Sequence, residues 1–509
     1  MDFYSTLSSL RIRDMLKYVE YKIPQFSTTQ KVRNTLQEII TSNARTLIYG
    51  DYDIDGLMCV KGMEASFREL GYYNFEIFPY AERTHNIDKR VIRMCIQEKF
   101  DYLIIMDTGS SELDLLNQLI LYGVKVIVLD HHETLYTYSD FSENISFLNT
   151  TLENQLHDLE TPDYELSAGA LIFCVCSDLF ASMEKTIPDW IAVYAVVSLY
   201  SDCMNMSNAL NRSIYYVAME VSKYEIPECI SIFLGESTVF SRRFIEFCFA
   251  PRINSLFRSE NLQLINRLFF DKGLDPFARD AIKNRVEDIY VTTRDLISEV
   301  SDLVDVREMT NFVLCDLGSV EENYSISKYK LYNYTGLIAN QLCGRYGKPA
   351  IVYCEMIDCH KGSVRDQFGR NYLSAFRNIS DAGGHNPAFG FRFSKTGLSK
   401  FIKDVERIDK YFSIRAAENY PIIIDYEFQE PDTRLIEDMA HYNDFSGSKI
   451  PVAFLRKQII GAMKEHRSNY GYYYSWGSGY YISSKRRLAF GETVIIKPFV
   501  SKSTKLVVE

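Results

Sequence analysis

The chain has 509 residues, 47% of them hydrophobic and 24% charged, and at roughly 150 residues per domain it has room for several domains. That composition excludes a mostly disordered protein, a collagen-like fibre and a disulfide miniprotein. A net charge of −11 argues against a general basic nucleic-acid coat and leaves room for a local basic surface.

The 11 cysteines are scattered and none has the spacing of a zinc knuckle, which predicts reduced thiols in a cytoplasmic protein. MDFYSTLSSLRIRD at the start lacks the apolar core of a secretory signal. The longest apolar candidate, Trp190 to Tyr200, is too short to cross a bilayer, so no membrane partner is expected.

In chain order, apolar runs at Thr46–Tyr49, Glu76–Phe78, Tyr102–Met106 and Lys125–Leu129 predict strands. YLIIM and KVIVL are continuous enough to be buried on both faces of a parallel sheet. Helices fit near Leu57–Leu70, Ile87–Lys99 and Ser111–Leu121. The alternation predicts an α/β domain with right-handed crossovers, whose ligands sit beyond the carboxyl ends of the strands. A more helical stretch follows, from Ser167 to Phe270. Ala278–Val304, without Gly or Pro, predicts a connecting helix. A smaller α/β unit is expected over Asn311–Phe393, and a β-rich unit from about Tyr411 onward.

Four clusters of hard ligands each follow an apolar run. GDYDIDG holds Asp51, Asp53 and Asp55; MDTGS holds Asp107; LDHHET holds Asp130, His131 and His132; LYSDC holds Asp202. The strand-end rule brings the first three to one sheet edge. Clustered carboxylates repel unless cations neutralise them, and carboxylate with imidazole suits Mn²⁺ or Mg²⁺. Two such ions about 3.5–4 Å apart clamp the attacking and leaving oxygens of a phosphoryl displacement and acidify a bridging water. Each cluster also has a bland reading, since Asp at a strand end is often a cap or turn former. Asp107-Thr108-Gly109-Ser110 matches an aspartic-protease triplet, but that chemistry needs two such aspartates in a β-rich fold.

These motifs, in this order, resemble the DHH phosphoesterase superfamily. The resemblance implies a parallel-sheet DHH domain carrying two divalent ions, Mn²⁺ before Mg²⁺. Its implied ligands are Asp53, Asp55, Asp107, His131 and Asp202, with Asp107 shared between the ions. His132 is implied to contact the scissile phosphate, with Asp51 and Asp130 as auxiliary, orienting groups. Tyr49 stands where some phosphatases of the family have a ligand His, which suits the RecJ exonuclease branch.

LIANQLCGRYGKP at Leu337–Pro349, then KGSVRD and AGGHNPAFGF, resembles the DHH-associated domain. There the resemblance implies phosphate contacts from Ser363, Arg365, Gly383, Gly384 and His385. Asp366 and Phe389 depart from the common pattern. FPYAER adds Arg83, with His85 less clearly placed, and Asn211-Arg212 after Asp202 fits the same pattern. HYNDFSGSKIPVAF, at His441–Phe454, resembles the entry to an OB-like domain. The implied layout is 1–277 DHH domain, 278–305 connecting helix, 306–400 DHH-associated domain and 405–509 OB-like domain.

From Pro451 onward, Lys and Arg outnumber Glu and alternate with tyrosines. Cations that track phosphates and rings that stack on bases suit single strands. The candidates are Tyr472, Tyr474, Trp476, Lys485, Arg486 and Arg487; the bland alternative is tyrosines packed inside a sheet. The whole reading is a RecJ-like 5′-to-3′ exonuclease that releases 5′-mononucleotides from single-stranded DNA in recombination, repair or replication. It would act as a monomer, with a helicase or single-strand-binding protein as candidate partners. The alternatives are a phosphodiesterase of short oligoribonucleotides or cyclic dinucleotides, and a non-catalytic replication scaffold.

Overall fold

The computed structural model describes residues 13–81, 87–156, 164–235, 238–271, 273–320, 331–366, 372–385, 388–414, 423–427, 433–446, 452–459, 463–468, 471–476, 480–500 and 504–508. They form two compact units. The first comprises Met1–Phe257, Leu262–Lys283 and Ile422–Glu509; the second comprises Arg258–Asn261 and Asn284–Pro421. Among the described residues no helix is long and apolar enough to cross a membrane.

The first unit is built on a five-stranded parallel sheet of β1 (Thr46–Gly50), β2 (Phe75–Ile77), β3 (Tyr102–Met106), β4 (Lys125–Asp130) and β5 (Ile145–Asn149). The order is β2-β1-β3-β4-β5. Strands β1 and β3 are buried at every residue, as their unbroken apolar runs require. Helix α1 (Thr29–Ser42) buries Val32, Leu36 and Ile39, one face at helical spacing. Helices α2 (Ile54–Glu69), α3 (Lys89–Gln97) and α4 (Leu113–Leu121) follow β1, β2 and β3. The helical stretch then supplies α5 (Thr150–Leu156), α6 (Ala168–Ser182), α7 (Ala192–Ser201) and α8 (Ala209–Val221). Helices α6 and α7 are apolar almost all round and accordingly buried.

Helix α9 (Pro276–Leu303) runs for 28 residues where the sequence predicts a continuous helix. In the second unit, β6 (Val306–Glu308), β7 (Val313–Asp316), β8 (Ala350–Glu355), β9 (Cys359–Arg365), β10 (Asp381–His385) and β11 (Ala388–Ser394) form one sheet. Its order is β10-β11-β9-β8-β7-β6. Helix α10 (Thr335–Tyr346) packs Ile338, Ala339 and Leu342 into a core with Val313, Ala350 and Val352. Helix α11 (Leu398–Ile414) sends Phe401 and Val405 to a second core with Phe376, Phe389 and Phe391.

The C-terminal part of the first unit is β-rich. A seven-stranded sheet holds β12 (Ile423–Glu427), β13 (Ala453–Gln458), β14 (Glu465–Ser468), β15 (Gly471–Trp476), β16 (Tyr480–Ser484), β17 (Thr493–Phe499) and β18 (Lys505–Val508). The order is β12-β13-β17-β18-β16-β15-β14, with α12 (Thr433–Phe445) between β12 and β13.

Candidate metal centre

Strands β1, β3 and β4 end side by side in register, with Gly50 beside Met106 and Met106 beside Leu129. The ligand-type residues begin where those strands stop. Two glycines let the first motif turn tightly. A Cβ on Gly56 would lie 2.4 Å from the main-chain oxygen of Asp51, and one on Gly50 would lie 2.5 Å from that of Gly56. Asp53 then caps α2 by accepting the N–H of Gly56 at 3.0 Å. Asp107 has a φ of +62°, a left-handed conformation that Asp tolerates and that recurs at functional sites.

Three overlapping groups have ligand atoms within 4.8 Å of one another: Asp107 with His131 and His132; Asp55 with His131 and Asp202; Asp51 with Asp53 and Asp107. His131 Nε2 lies 3.2 Å from Asp107 Oδ1, 3.8 Å from Asp55 Oδ2 and 3.7 Å from Asp202 Oδ2. The structure therefore gathers Asp51, Asp53, Asp55, Asp107, His131, His132 and Asp202 at one place. Asp51, assigned an auxiliary role by the resemblance, lies within ligand range.

Electrostatics mark this cluster as built for positive charge. Burial, followed by Asp55, Asp53 and Asp51, pushes the Asp107 carboxyl well above the usual range. Burial, together with Asp202 and Asp53, raises Asp55, against the opposing pull of His131. Among the described residues, the buried Oδ1 of Asp107 and Oδ2 of Asp202 accept no hydrogen bond. Acceptors left bare in a carboxylate cluster fit divalent cations bound through oxygen and imidazole.

Asp55 is held by groups that no sequence motif announces. It accepts the N–H of Ala168 at 2.9 Å and of Gly169 at 2.8 Å, and the hydroxyl of Ser198. A Cβ on Gly169 would lie 2.6 Å from Cβ of Ser198, so only glycine fits there.

Asp130 organises the histidine pair. It accepts N–H groups from His131 at 2.7 Å, His132 at 3.2 Å and Ser110 at 3.2 Å, and lies 2.8 Å from His132 Nδ1. Burial alone would raise Asp130, but the charge and hydrogen bond of His132 hold it well below the usual carboxylate range. Burial also disfavours the His132 imidazolium, which Asp130 nevertheless raises well above the ordinary histidine range. Asn149, at the end of β5, donates to Ser110 Oγ at 2.8 Å and to the main-chain oxygen of His132 at 2.9 Å. Asn211 and Arg212 donate to main-chain oxygens of Asn205 and Ser207 and so shape the turn after Asp202.

In the second unit Ser363 and Arg365 share β9, and Ser363 Oγ lies 2.9 Å from Thr335 Oγ1. Tyr334, at the N-cap of α10, gives that terminus no side-chain cap. A Cβ on Gly336 would lie 2.5 Å from Arg365 Nη2, so its absence makes room for the guanidinium. The Thr335 and Ser363 hydroxyls and the Arg365 guanidinium thus form one polar group at the start of α10. Thr335 and Gly336 are members that the motif reading missed. Gly383 pairs with Gly390 and Gly384 with Phe389, the latter glycine at a φ of +123°. His385 pairs with Ala388, but its side chain lies outside the described residues, as do Arg83 and His85.

The basic-aromatic stretch divides. Tyr474 and Trp476 are 3% and 4% exposed, filling the interior of the β-rich part instead of offering a ring face. Tyr472 is half-buried, with Arg467 5.9 Å from its ring centre. Lys485, Arg486 and Arg487 are exposed, and Arg486 and Arg487 pair with Glu492 and Glu465. Among the described residues of this part, the open rings are Tyr481 and Phe490, 55% and 79% exposed.

Residues 45–196 match the family model of the DHH family, N-terminal domain. Asp202 lies just beyond that match and joins it through geometry. The single-stranded-DNA-specific exonuclease RecJ of Bacillus subtilis is 21% identical over 412 residues, covering 79% of this chain and 49% of that protein. The chain thus spans about half the length of that relative. A putative SPbeta prophage-derived single-strand DNA-specific exonuclease, YorK, also of Bacillus subtilis, is 22% identical over 395 residues, covering 70% of this chain and 64% of that protein. The crystal structure of Thermus thermophilus RecJ in complex with Mn²⁺ superposes with a TM-score of 0.73 at 15% identity, covering 99% of this chain and 74% of that one. Residues 45–196 thus match the DHH family's N-terminal domain, and the chain is similar in sequence and in fold to RecJ exonucleases.

Proposed function

We propose that the chain is a divalent-metal-dependent exonuclease that degrades single-stranded DNA from the 5′ end to 5′-mononucleotides. The observation that carries this reading is the convergence of Asp51, Asp53, Asp55, Asp107, His131 and Asp202 at the strand ends, with carboxylate oxygens left bare. Such a donor set would hold two ions, Mn²⁺ before Mg²⁺, which supply Lewis acidity and an acidified water when bound. The support for single-stranded DNA is the activity for which the relatives are named, and the polarity rests on the resemblance of the sequence motifs to the RecJ branch.

The residues of the chain do the rest. Asp107 and His131 each belong to two of the ligand groups, so both would hold metal. Ser198 and the start of α6 hold Asp55 in place. Asp130 keeps His132 cationic, so its Nε2 donates to the phosphorane oxygens as charge develops there. Ser363, Arg365 and the start of α10 grip a strand phosphate, with His385, Gly383 and Gly384 as further candidates. Lys485, Arg486, Arg487 and Tyr472 with the open rings contact the strand. This reading assigns residues 405–509 to strand binding and residues 306–400 to the phosphate.

The test is one single-stranded oligonucleotide, labelled at either end and incubated with Mn²⁺ or a chelator. Immediate release of 5′-labelled mononucleotide, with a shrinking ladder from the 3′ label, is expected. Turnover of dinucleotides alone would replace this reading with a small-substrate phosphodiesterase, and no turnover of either would replace it with a scaffold.

A further inference from the structure

Helix α7 carries two parts of the candidate metal centre, Ser198 on Asp55 and Asp202 at its C-cap. Among the described residues no hydrogen-bond donor reaches the buried Asp202 Oδ2, so the helix end sets its position. Between them stands Tyr200, 4% exposed, with no part in the ligand cluster. Its hydroxyl donates at 3.0 Å to the main-chain oxygen of Asp444, at the end of α12 in the β-rich C-terminal part.

The point of attachment is itself rigid. Tyr215 of α8 donates to Asp444 Oδ2 at 3.2 Å. The Arg242 guanidinium lies 5.7 Å from the Tyr200 ring centre and donates to the main-chain oxygens of Asn443 at 2.7 Å and Asp444 at 3.3 Å, and to Ser446. Asn443 donates to the main-chain oxygens of Ala453 at 2.9 Å and Pro498 at 2.8 Å, and accepts the N–H of Ala453 at 2.8 Å. Strands β13 and β17 are thereby tied to the chain two residues before Asp202 through Asn443, Asp444 and Tyr200.

We propose that Tyr200 is a positioning residue, and that the end of α12 acts through it as a strut that fixes α7 and so sets the place of Asp202. The β-rich part then regulates metal occupancy at the catalytic centre as well as contacting substrate. This inference rests on the reading of Asp202 as a metal ligand.

Four full-length proteins decide it by calorimetric titration with Mn²⁺ and by initial rates against Mn²⁺ concentration. Tyr200→Phe removes only the hydroxyl. Tyr194→Phe removes a hydroxyl from the same helix, where Tyr194 is 5% exposed and faces Cys229 Sγ at 4.0 Å instead of Asp444. Asp444→Asn keeps the main-chain oxygen. Tyr200→Phe is expected to bind Mn²⁺ about tenfold more weakly, the scale of support-residue losses. Raised Mn²⁺ should restore its turnover, and its thermal midpoint should be no lower than that of Tyr194→Phe. Tyr194→Phe and Asp444→Asn are expected to keep the wild-type affinity. Wild-type affinity in Tyr200→Phe, or an equal loss in Tyr194→Phe, would overturn the strut while leaving the metal reading intact. A wild-type protein that titrates no Mn²⁺ would overturn both.

Discussion

The Asp55 carboxylate accepts the main-chain N–H of Ala168 at 2.9 Å across 113 residues of sequence. A ligand-type side chain thereby sits on the N-terminus of α6, where the helix dipole favours the ionised form that a cation needs. The same contact fixes which oxygen faces His131, since Asp55 Oδ2 is the atom 3.8 Å from its Nε2.

Disturbing this clamp should reach the metal before it reaches the fold. Ser198→Ala removes one donor from Asp55 and is expected to cost about 1 kcal/mol of stability. Its Mn²⁺ affinity should fall about tenfold by calorimetric titration. Gly169→Ala should be worse, because the added Cβ meets Ser198 at 2.6 Å. Unchanged Mn²⁺ affinity in both variants would refute the clamp.

Asp107 is a buried carboxylate repelled by its neighbours. Asp107→Asn keeps the shape, tolerates the positive φ and removes charge from the cluster. Its metal-free thermal midpoint should rise above wild type. Mn²⁺ at a hundredfold over its dissociation constant should add about 2.7 kcal/mol to the wild type and far less to the variant. Hydrolysis should be abolished in this variant. Wild-type turnover would remove Asp107 from the centre.

Asp444 gives a pH dependence of opposite sign to that of a paired carboxylate. Burial, against the pull of Arg242, pushes its carboxyl up from 3.8 to about 7. Below the unfolded value the group is protonated in both states. As pH rises from about 4 to 7, the unfolded chain ionises first and stability falls, then levels off above 7. Asp444→Asn should therefore raise the thermal midpoint at pH 8 and leave it nearly unchanged at pH 4. Equal gains at both values would contradict the assignment.

Burial separates the aromatics of the C-terminal sheet by role. Trp476→Ala removes a buried indole and should cost about 3–5 kcal/mol in thermal or denaturant unfolding. Tyr481→Ala and Phe490→Ala should leave stability within about 0.5 kcal/mol. Each should weaken single-strand binding by about 1–3 kcal/mol per stacked base, read by fluorescence anisotropy. Full binding by a Tyr481→Ala, Phe490→Ala double variant would move the strand to another face.

The sequence was most legible where one element dictates its own environment. YLIIM could only be a strand buried on both faces, and the metal motifs follow such strands directly. ISFLN was missed as β5 because Ser146 and Asn149 interrupt its apolar run. Both are nonetheless buried, Ser146 beside Thr35 Oγ1 at 2.8 Å and Asn149 on Ser110. Ser198, Gly169 and Thr335 act through partners far along the chain, which no local pattern encodes. Tyr474 and Trp476 fall on the inner side of a period-two alternation whose other side carries Tyr473 and Ser475. Composition alone does not say which side is which.

The joint around Arg242 is made with main-chain oxygens of Asn443, Asp444 and Ser446. A peptide carbonyl is chemically the same whichever side chain it carries. The carbonyl contacts therefore place no demand on side-chain identity, which at Asn443 and Asp444 is set by other bonds, to Ala453, Pro498 and Tyr215. A short insertion or deletion between α12 and β13 would break the joint without altering any ligand residue.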